Sequence, residues 1–471
     1  MNKALKWIFY LFLLSLPFGT RYLVYQFTPG FNEYASVWLY GNDIVLIAFI
    51  LFFWLGSHSE SAIAGEESYL KRFFTSFRMT RWLGLFLITA FASIFYAYLP
   101  GLAVYNFLRL LLLVLMALAV GRLVRDGGLA IKDIFLIIAA SAVFQALLGL
   151  AQFFRQASLG LKWLGEPVAA YGAVGPAKII VEGAKILRPF GTFPHANIFG
   201  AFLVLGLISL LYFFIKFLSS KSQIPNNFQG LKSQNFFMRT WSLFGAWFLV
   251  LGIFVVMLGL VISFSRSAWI VGGLMTLLFL AYNLVKKEYR PSAIYLSVIV
   301  FSILFFLLSI FSSYIIPRAE LLSSGKDVSV SDRLRYTELG LNLVKENPLG
   351  VGIGNQVFYS VKNGEYLKLG MDKVWLWEPV HNLYLLIASE IGILGFVAFC
   401  VFIFSIFINW KLFGVWSLEL GASKIMFLSL LLLGLFDHYL WTLQPGRLML
   451  WLTIGLVLGL NEAGKRSSFN G

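Results

Sequence analysis

The chain has 471 residues, 59% of them hydrophobic and 13% charged, with a mean hydropathy of +0.82. Repeated apolar runs of about 20 residues exclude a series of soluble domains and indicate an all-α, polytopic membrane protein. The net charge of +15 is divided among the loops between those runs, so it bears on topology and suggests no nucleic-acid partner.

In chain order the apolar runs predict twelve spans, at about 4–18, 37–56, 81–98, 102–121, 133–153, 195–217, 241–263, 267–285, 292–316, 381–409, 423–438 and 446–461. No small-residue cleavage site follows Ala4 to Leu16, which therefore reads as a retained first helix rather than a signal peptide. One set of alternate loops is basic. It carries Lys71, Arg72, Arg78 and Arg81, then Arg122, Arg125 and Lys132, then Lys216, Lys221, Lys232 and Arg239. Lys286, Lys287 and Arg290, then Lys411 and Lys424, then Lys465 and Arg466 continue it. Short basic loops mark the cytoplasm, so both termini are expected inside.

Two long segments then face outward, residues 154–194 and the larger loop 317–380 between spans nine and ten. The first holds five basic and two acidic residues, and the second eight of each, which makes the larger loop balanced rather than polycationic. Ser331, Asp332 and Arg333 open a helical stretch through Lys345 that Pro348 and Gly350 end, so this loop is partly helical. With no internal repeat, residues 1–471 read as a single integral membrane domain. Cys400 is alone, which excludes an intramolecular disulfide and a Cys-based metal site. The four histidines, His58, His195, His381 and His438, lie far apart and show no metal-ligand spacing. No metal and no cofactor is expected.

Four stretches carry candidate chemistry. Arg188 to Gly200 (RPFGTFPHANIFG) suits an irregular backbone that is tolerable at membrane depth only where it lines a cavity. Arg188 offers a fork matched to phosphate oxygens, and Asn197 lies near the positive end of the following helix. Snorkelling of the arginine to lipid headgroups is the competing reading. Arg266 sits in Ser263 to Trp269 (SFSRSAW), where two spans join with almost no loop; an arginine held between apolar runs marks a functional site or an anchor to headgroups. Arg333 and Arg335 lie at a polar helix start, and the VGIG that follows forms a bend without the strand–GxGxxG–helix context of a nucleotide site. Arg109, beside Asn106, is as well suited to packing as to catalysis. The Asp437–His438–Tyr439–Trp441 cluster suits sugar binding weakly.

The fourth stretch is Glu378 to Gly395 (EPVHNLYLLIASEIGILG). At roughly 100° per residue, Glu378, His381, Tyr384, Gly392 and Gly395 share one helical face, with Glu390 on the other. The glycines form a seam that a second helix could approach closely. Two readings stand for His381: a helix cap at the water interface, or a proton acceptor with an ordinary pKa of about 6.5. Outward arginines and a histidine at a helix mouth are the parts needed to hold a lipid-linked pyrophosphate and activate a hydroxyl.

RPFGTFPHANIFG, SFSRSAW, SDRLRYTELGLNLVKENPLGVGIGNQVF and HNLYLLIASEIGILG, in this order, resemble the O-antigen ligase and polymerase superfamily over about residues 180–460. The resemblance implies a GT-C-like membrane glycosyltransferase of about twelve helices in the bacterial inner membrane, with an extracytoplasmic active site. It further implies inverting, metal-independent transfer of a glycan from undecaprenyl pyrophosphate to a glycan or lipid acceptor, with membrane lipids around it. His381 then matches the general base, and Arg188 and Arg266 the arginines that bind the donor pyrophosphate. Arg333 matches an arginine at the start of the loop helix; Tyr384, Glu378 and Asn197 are further substrate-binding candidates. Tyr336 stands where the family often has Trp, and Pro194-His195-Ala196-Asn197 keeps only the Asn of the family's Gly-Asn-Pro-Asn, which leaves His195 without support. A ligase acting on a surface acceptor such as lipid A–core is the leading expectation. A polymerase extending another lipid-linked unit is the alternative, and a lipid-linked glycan transporter is the reading from another class.

Overall fold

The computed structural model describes residues 3–28, 33–61, 80–168, 177–181, 183–221, 232–323, 328–408 and 417–469. Lys71, Arg72, Arg78 and Lys411 of the predicted basic loops lie outside the described residues. Helices dominate: α1 Lys3–Ser15, α2 Gly41–Ser61, α3 Thr80–Ala92, α4 Pro100–Arg125, α5 Ile131–Arg155 and α6 Ala196–Lys221. They continue with α7 Lys232–Ile262, α8 Arg266–Val285, α9 Arg290–Ile310, α10 Ser312–Ser323 and α11 Val328–Glu346. The short α12 Gln356–Lys362 and α13 Glu365–Lys368 precede α14 Leu383–Ile408, α15 Leu418–Leu433, α16 Tyr439–Thr442 and α17 Gln444–Phe469.

Among the described residues, seven helices are long and apolar enough to cross a membrane, and they occupy predicted spans four to ten. Shorter apolar helices at Gly41–Gly56 and Arg81–Ala92 occupy the second and third, and α1, α15 and α17 the remaining three. The protein is thus an all-α, multi-pass membrane protein. It also has two small hairpins that hydropathy did not show. Strands β1 Arg21–Gln26 and β2 Ser36–Tyr40 pair antiparallel, so α2 begins at Gly41 and not at 37. Strands β3 Lys178–Val181 and β4 Ala184–Leu187 pair likewise and deliver the chain to Arg188.

The chain divides into two compact units. One comprises residues 1–129, 324–415 and 430–471. Its most extensive packing joins α4 to α17, where Gly455 and Gly459 meet Ala117 and Gly121 backbone to backbone. Small residues four apart on both helices permit that approach. Helix α3 packs on α14, and α11 lies against the start of α14.

Helix α14 is not one continuous rod. Gly392 has φ 82° and ψ 176°, which breaks it after Ile391. The stretch Pro348–Gly354 inserts at the break. Val351 N–H donates to the Ser389 carbonyl (3.0 Å), Gly352 N–H to that of Glu390 (2.9 Å), and Ile393 N–H to that of Pro348 (3.0 Å). The other side of the loop is met by α3 and its exit: Ser93 Oγ accepts from Ile353 N–H (3.1 Å), and Tyr98 N–H donates to the Val351 carbonyl (3.2 Å). Buried backbone groups must all be partnered away from water, and here a loop and a broken helix partner each other. A Cβ at Gly350 or Gly392 would collide with the opposite backbone. This corrects the sequence reading twice. A loop fills the glycine seam at Gly392, while helix α3 approaches it at Gly395 through Thr89; and because α14 starts at Leu383 and breaks at Gly392, Glu378 and His381 share no helical face with Gly392 and Gly395.

The second unit comprises residues 130–323 and 416–429. Here α6 is the central helix, packed by α5, α7, α8 and α9. Tyr212 and Lys216 on α6 both bond the Glu419 carboxylate (2.9 and 2.6 Å).

Candidate functional site

In the first unit the site is built around residues 378–381, just before α14. Asn382 is the residue that caps α14: its Oδ1 accepts from the N–H groups of Tyr384 and Leu385, both at 3.0 Å. The capping reading of His381 therefore falls. His381 Nδ1 lies 2.9 Å from the Pro379 carbonyl. A carbonyl can only accept, so Nδ1 carries the proton and the lone pair of the neutral ring is on Nε2.

Four chain segments close around His381 and His438. Tyr336 of α11 stacks on it, with centroids 4.4 Å apart and planes 14° off parallel, and fixes itself through its hydroxyl to the Leu376 carbonyl (2.7 Å). His438, just before α16, stands edge-on at 4.8 Å. Glu378 Oε2 lies 3.4 Å from His381 Nε2. Tyr34, after the β1 exit, meets the His438 ring edge at 6.0 Å.

Burial lowers the pKa of His381, and the positive field of Arg333 adds to this, while Asp437, the Pro379 carbonyl and Asp332 oppose it. The neutral ring, able to accept a proton, is favoured. Burial also raises the Glu378 carboxyl to about 7, with Asp437, Glu33 and Asp332 adding like charge. Its side chain keeps 44% of its surface at the mouth of the recess, where water tempers that rise. Tyr336 is raised chiefly by desolvation.

The other candidates of this unit separate. Arg333 acts on His381 through its field. Tyr384 donates its hydroxyl to the Leu431 carbonyl (2.9 Å), which ties it to α15. Glu390 is buried and accepts from Trp441 Nε1 (2.8 Å) and Gly354 N–H (2.7 Å). Arg109 makes a two-pronged pair with Asp43 of α2 (3.0 and 2.9 Å) and also donates to Gln444.

In the second unit Arg188, Asn197 and the Ser263–Ser267 turn meet. Arg188 Nε donates to the Ser263 carbonyl (3.0 Å) and Nη2 to Asn197 Oδ1 (2.7 Å). Arg188 is 7% exposed, whereas Arg266, the first residue of α8, is half-buried. The turn is tight enough that Phe264 takes φ 49°, a conformation costing about 1–3 kcal/mol in a non-glycine residue. Two glutamines of α5, missed in the sequence, hold the irregular run into α6. Gln152 Oε1 accepts from Phe190 and Gly191 N–H (3.1 and 2.8 Å), and Gln145 Oε1 accepts from Thr192 N–H (2.9 Å). Glutamines inside an apolar helix were the available signal. His195 Nδ1 accepts from Asn197 N–H (3.1 Å), a local role at the start of α6.

The sequence also missed the partnership of His438 with His381. Spacing along the chain marks no metal site, yet folding brings one ligand atom each from Glu378, His381 and His438 within 4.8 Å of one another.

Comparison with protein families matches residues 247–400 to the O-antigen ligase family. The matched stretch contains Arg266, Arg333, Glu378, His381 and Tyr384, and stops short of Arg188 and Asn197. A search of curated proteins finds no match.

Proposed function

We propose, from the match of residues 247–400 to the O-antigen ligase family, that the chain is a ligase-type enzyme of the O-antigen ligase and polymerase superfamily of membrane glycosyltransferases. It moves a glycan from undecaprenyl pyrophosphate to a surface acceptor, such as lipid A–core, on the extracytoplasmic side of the bacterial inner membrane. Both termini are cytoplasmic. The observation that carries the reading is the release of His381 from capping. Asn382 caps α14, Pro379 takes the Nδ1 proton, and Nε2 remains the accepting atom.

In this reading His381 Nε2 takes the proton of the acceptor hydroxyl as its oxygen attacks the anomeric carbon from the face opposite the pyrophosphate. The bond to the pyrophosphate oxygen breaks and the sugar inverts. No metal is required in this step, because guanidinium groups offset the charge building on the leaving group. Arg266 supplies the contact. Arg188, whose Nε and Nη2 bond Ser263 and Asn197, shapes the turn that carries Arg266. Arg333, Glu378 and Tyr384 border the acceptor side; the stacked Tyr336 holds the His381 ring in plane.

General-base removal costs about 10²–10⁴-fold. His381→Ala should therefore lose transfer by that factor and keep donor binding, measured with purified protein, lipid-linked donor and acceptor. Loss of donor binding instead reassigns His381 to substrate contact. The polymerase is the second reading, since it shares donor and fold; a ladder of extended chains from lipid-linked donor alone would decide for it.

A further inference from the structure

The recess of Glu378, His381 and His438 has a property that proton acceptance does not use. His381 Nδ1 is turned to the Pro379 carbonyl. His438 Nδ1 lies 2.6 Å from Thr442 Oγ1, and that hydroxyl donates to the His438 carbonyl (3.2 Å), so the imidazole gives the proton here too. Both rings therefore carry their lone pairs on Nε2. An outer oxygen fixing the tautomer is the arrangement that metal-ligating histidines use. A tetrahedral zinc ion with ligands at about 2.0–2.1 Å separates its donor atoms by about 3.3 Å. His381 Nε2 and Glu378 Oε2 are 3.4 Å apart. That is longer than a good hydrogen bond and close to the edge of such a tetrahedron.

The third ligand is also at hand, since all three donor atoms fall within 4.8 Å. Asp437 Oδ1, 3.9 Å from His438 Nε2, adds a carboxylate beside them. The surrounding field favours a cation. Asp437, Glu33 and Asp332 all press negative charge on Glu378, while the guanidinium of Arg333 acts on His381.

We infer that Glu378, His381 and His438 form a binding site for a zinc-class divalent cation, and that the bound ion switches transfer off. The site follows from geometry alone. The switch rests on the reading of His381 as the base, because a coordinated Nε2 has no lone pair left for a proton. Imidazole and carboxylate together suit Zn²⁺ over Mg²⁺ or Ca²⁺, which prefer oxygen alone.

The test uses purified full-length protein stripped with a chelator and titrated with Co²⁺, whose ligand-field bands report tetrahedral nitrogen and oxygen ligation. Zn²⁺ competition then gives the affinity. One ion per chain is expected, with Zn²⁺ affinity falling by more than about tenfold in both His438→Gln and Glu378→Gln, a loss that even outer-sphere partners can cause. Glu378, at the mouth of the recess, keeps the test readable if the buried His438 variant fails to fold. Absence of saturable ligand-field bands in the unaltered protein, or unchanged affinity in a folded Glu378→Gln protein, overturns the site. A parallel transfer assay separates the two claims. Zn²⁺ should abolish transfer and a chelator restore it; binding without inhibition overturns the switch and, with it, His381 as the base.

Discussion

Arg109 and Arg188 are both buried arginines, yet the bonds that hold them differ. Arg109 meets Asp43 through two nitrogens, so its charge is cancelled where it lies. Two of the bonds that hold Arg188 run instead to the neutral oxygens of Ser263 and Asn197. A guanidinium closed off by a carboxylate is a strut between α2 and α4. The bonds of Arg188 instead tie the start of α6 to the strained turn before α8. Burial of an arginine is therefore a weak guide to function by itself.

The largest expected effect breaks the strut. Arg109→Leu leaves Asp43 buried and unpaired and should cost about 3–5 kcal/mol of stability. Adding Asp43→Leu should return most of it, as read by thermal unfolding in detergent. If the double variant is no more stable than the single, the charge-balance account of Arg109 is wrong. Next, Arg266→Lys should reduce transfer about tenfold with unchanged unfolding, because a point charge replaces a fork. Equal transfer by the lysine variant would make Arg266 an anchor to lipid headgroups instead. The smallest effect is expected at Glu390, whose Trp441 and Gly354 donors a neutral amide oxygen can still partly serve. Glu390→Gln should retain turnover and shift stability by less than about 1.5 kcal/mol; a stable variant without turnover would move Glu390 into the chemistry.

Much of this was legible from residues. The helix from Ser331 to Lys345 appears within Val328–Glu346, because a polar start, periodic leucines and a following Pro-Gly are local signals. Arg188 and Asn197 were both named, and the structure joins them directly. What was not legible depends on distance or on hydropathy that does not change. The apolar run through α14 gives no sign that Gly392 breaks it, since glycine in such a run also suits close packing. His438 joins His381 only through the return of α15 and α16, which no spacing rule encodes. The β1–β2 hairpin was absorbed into an apolar run because Val37, Trp38, Leu39 and Tyr40 score as membrane residues.

The Pro348–Gly354 insertion at the break in α14 has a consequence for how this chain can vary. The loop and the helix share a single register key, in which Val351 answers Ser389, Gly352 answers Glu390 and Pro348 answers Ile393. One residue added or removed inside that stretch would put the key out of step and leave backbone groups at the break in α14 without partners. Length changes in the large loop are therefore confined to its other parts. The segment that looks most like a flexible bend in the sequence serves as the splint that joins the two halves of α14.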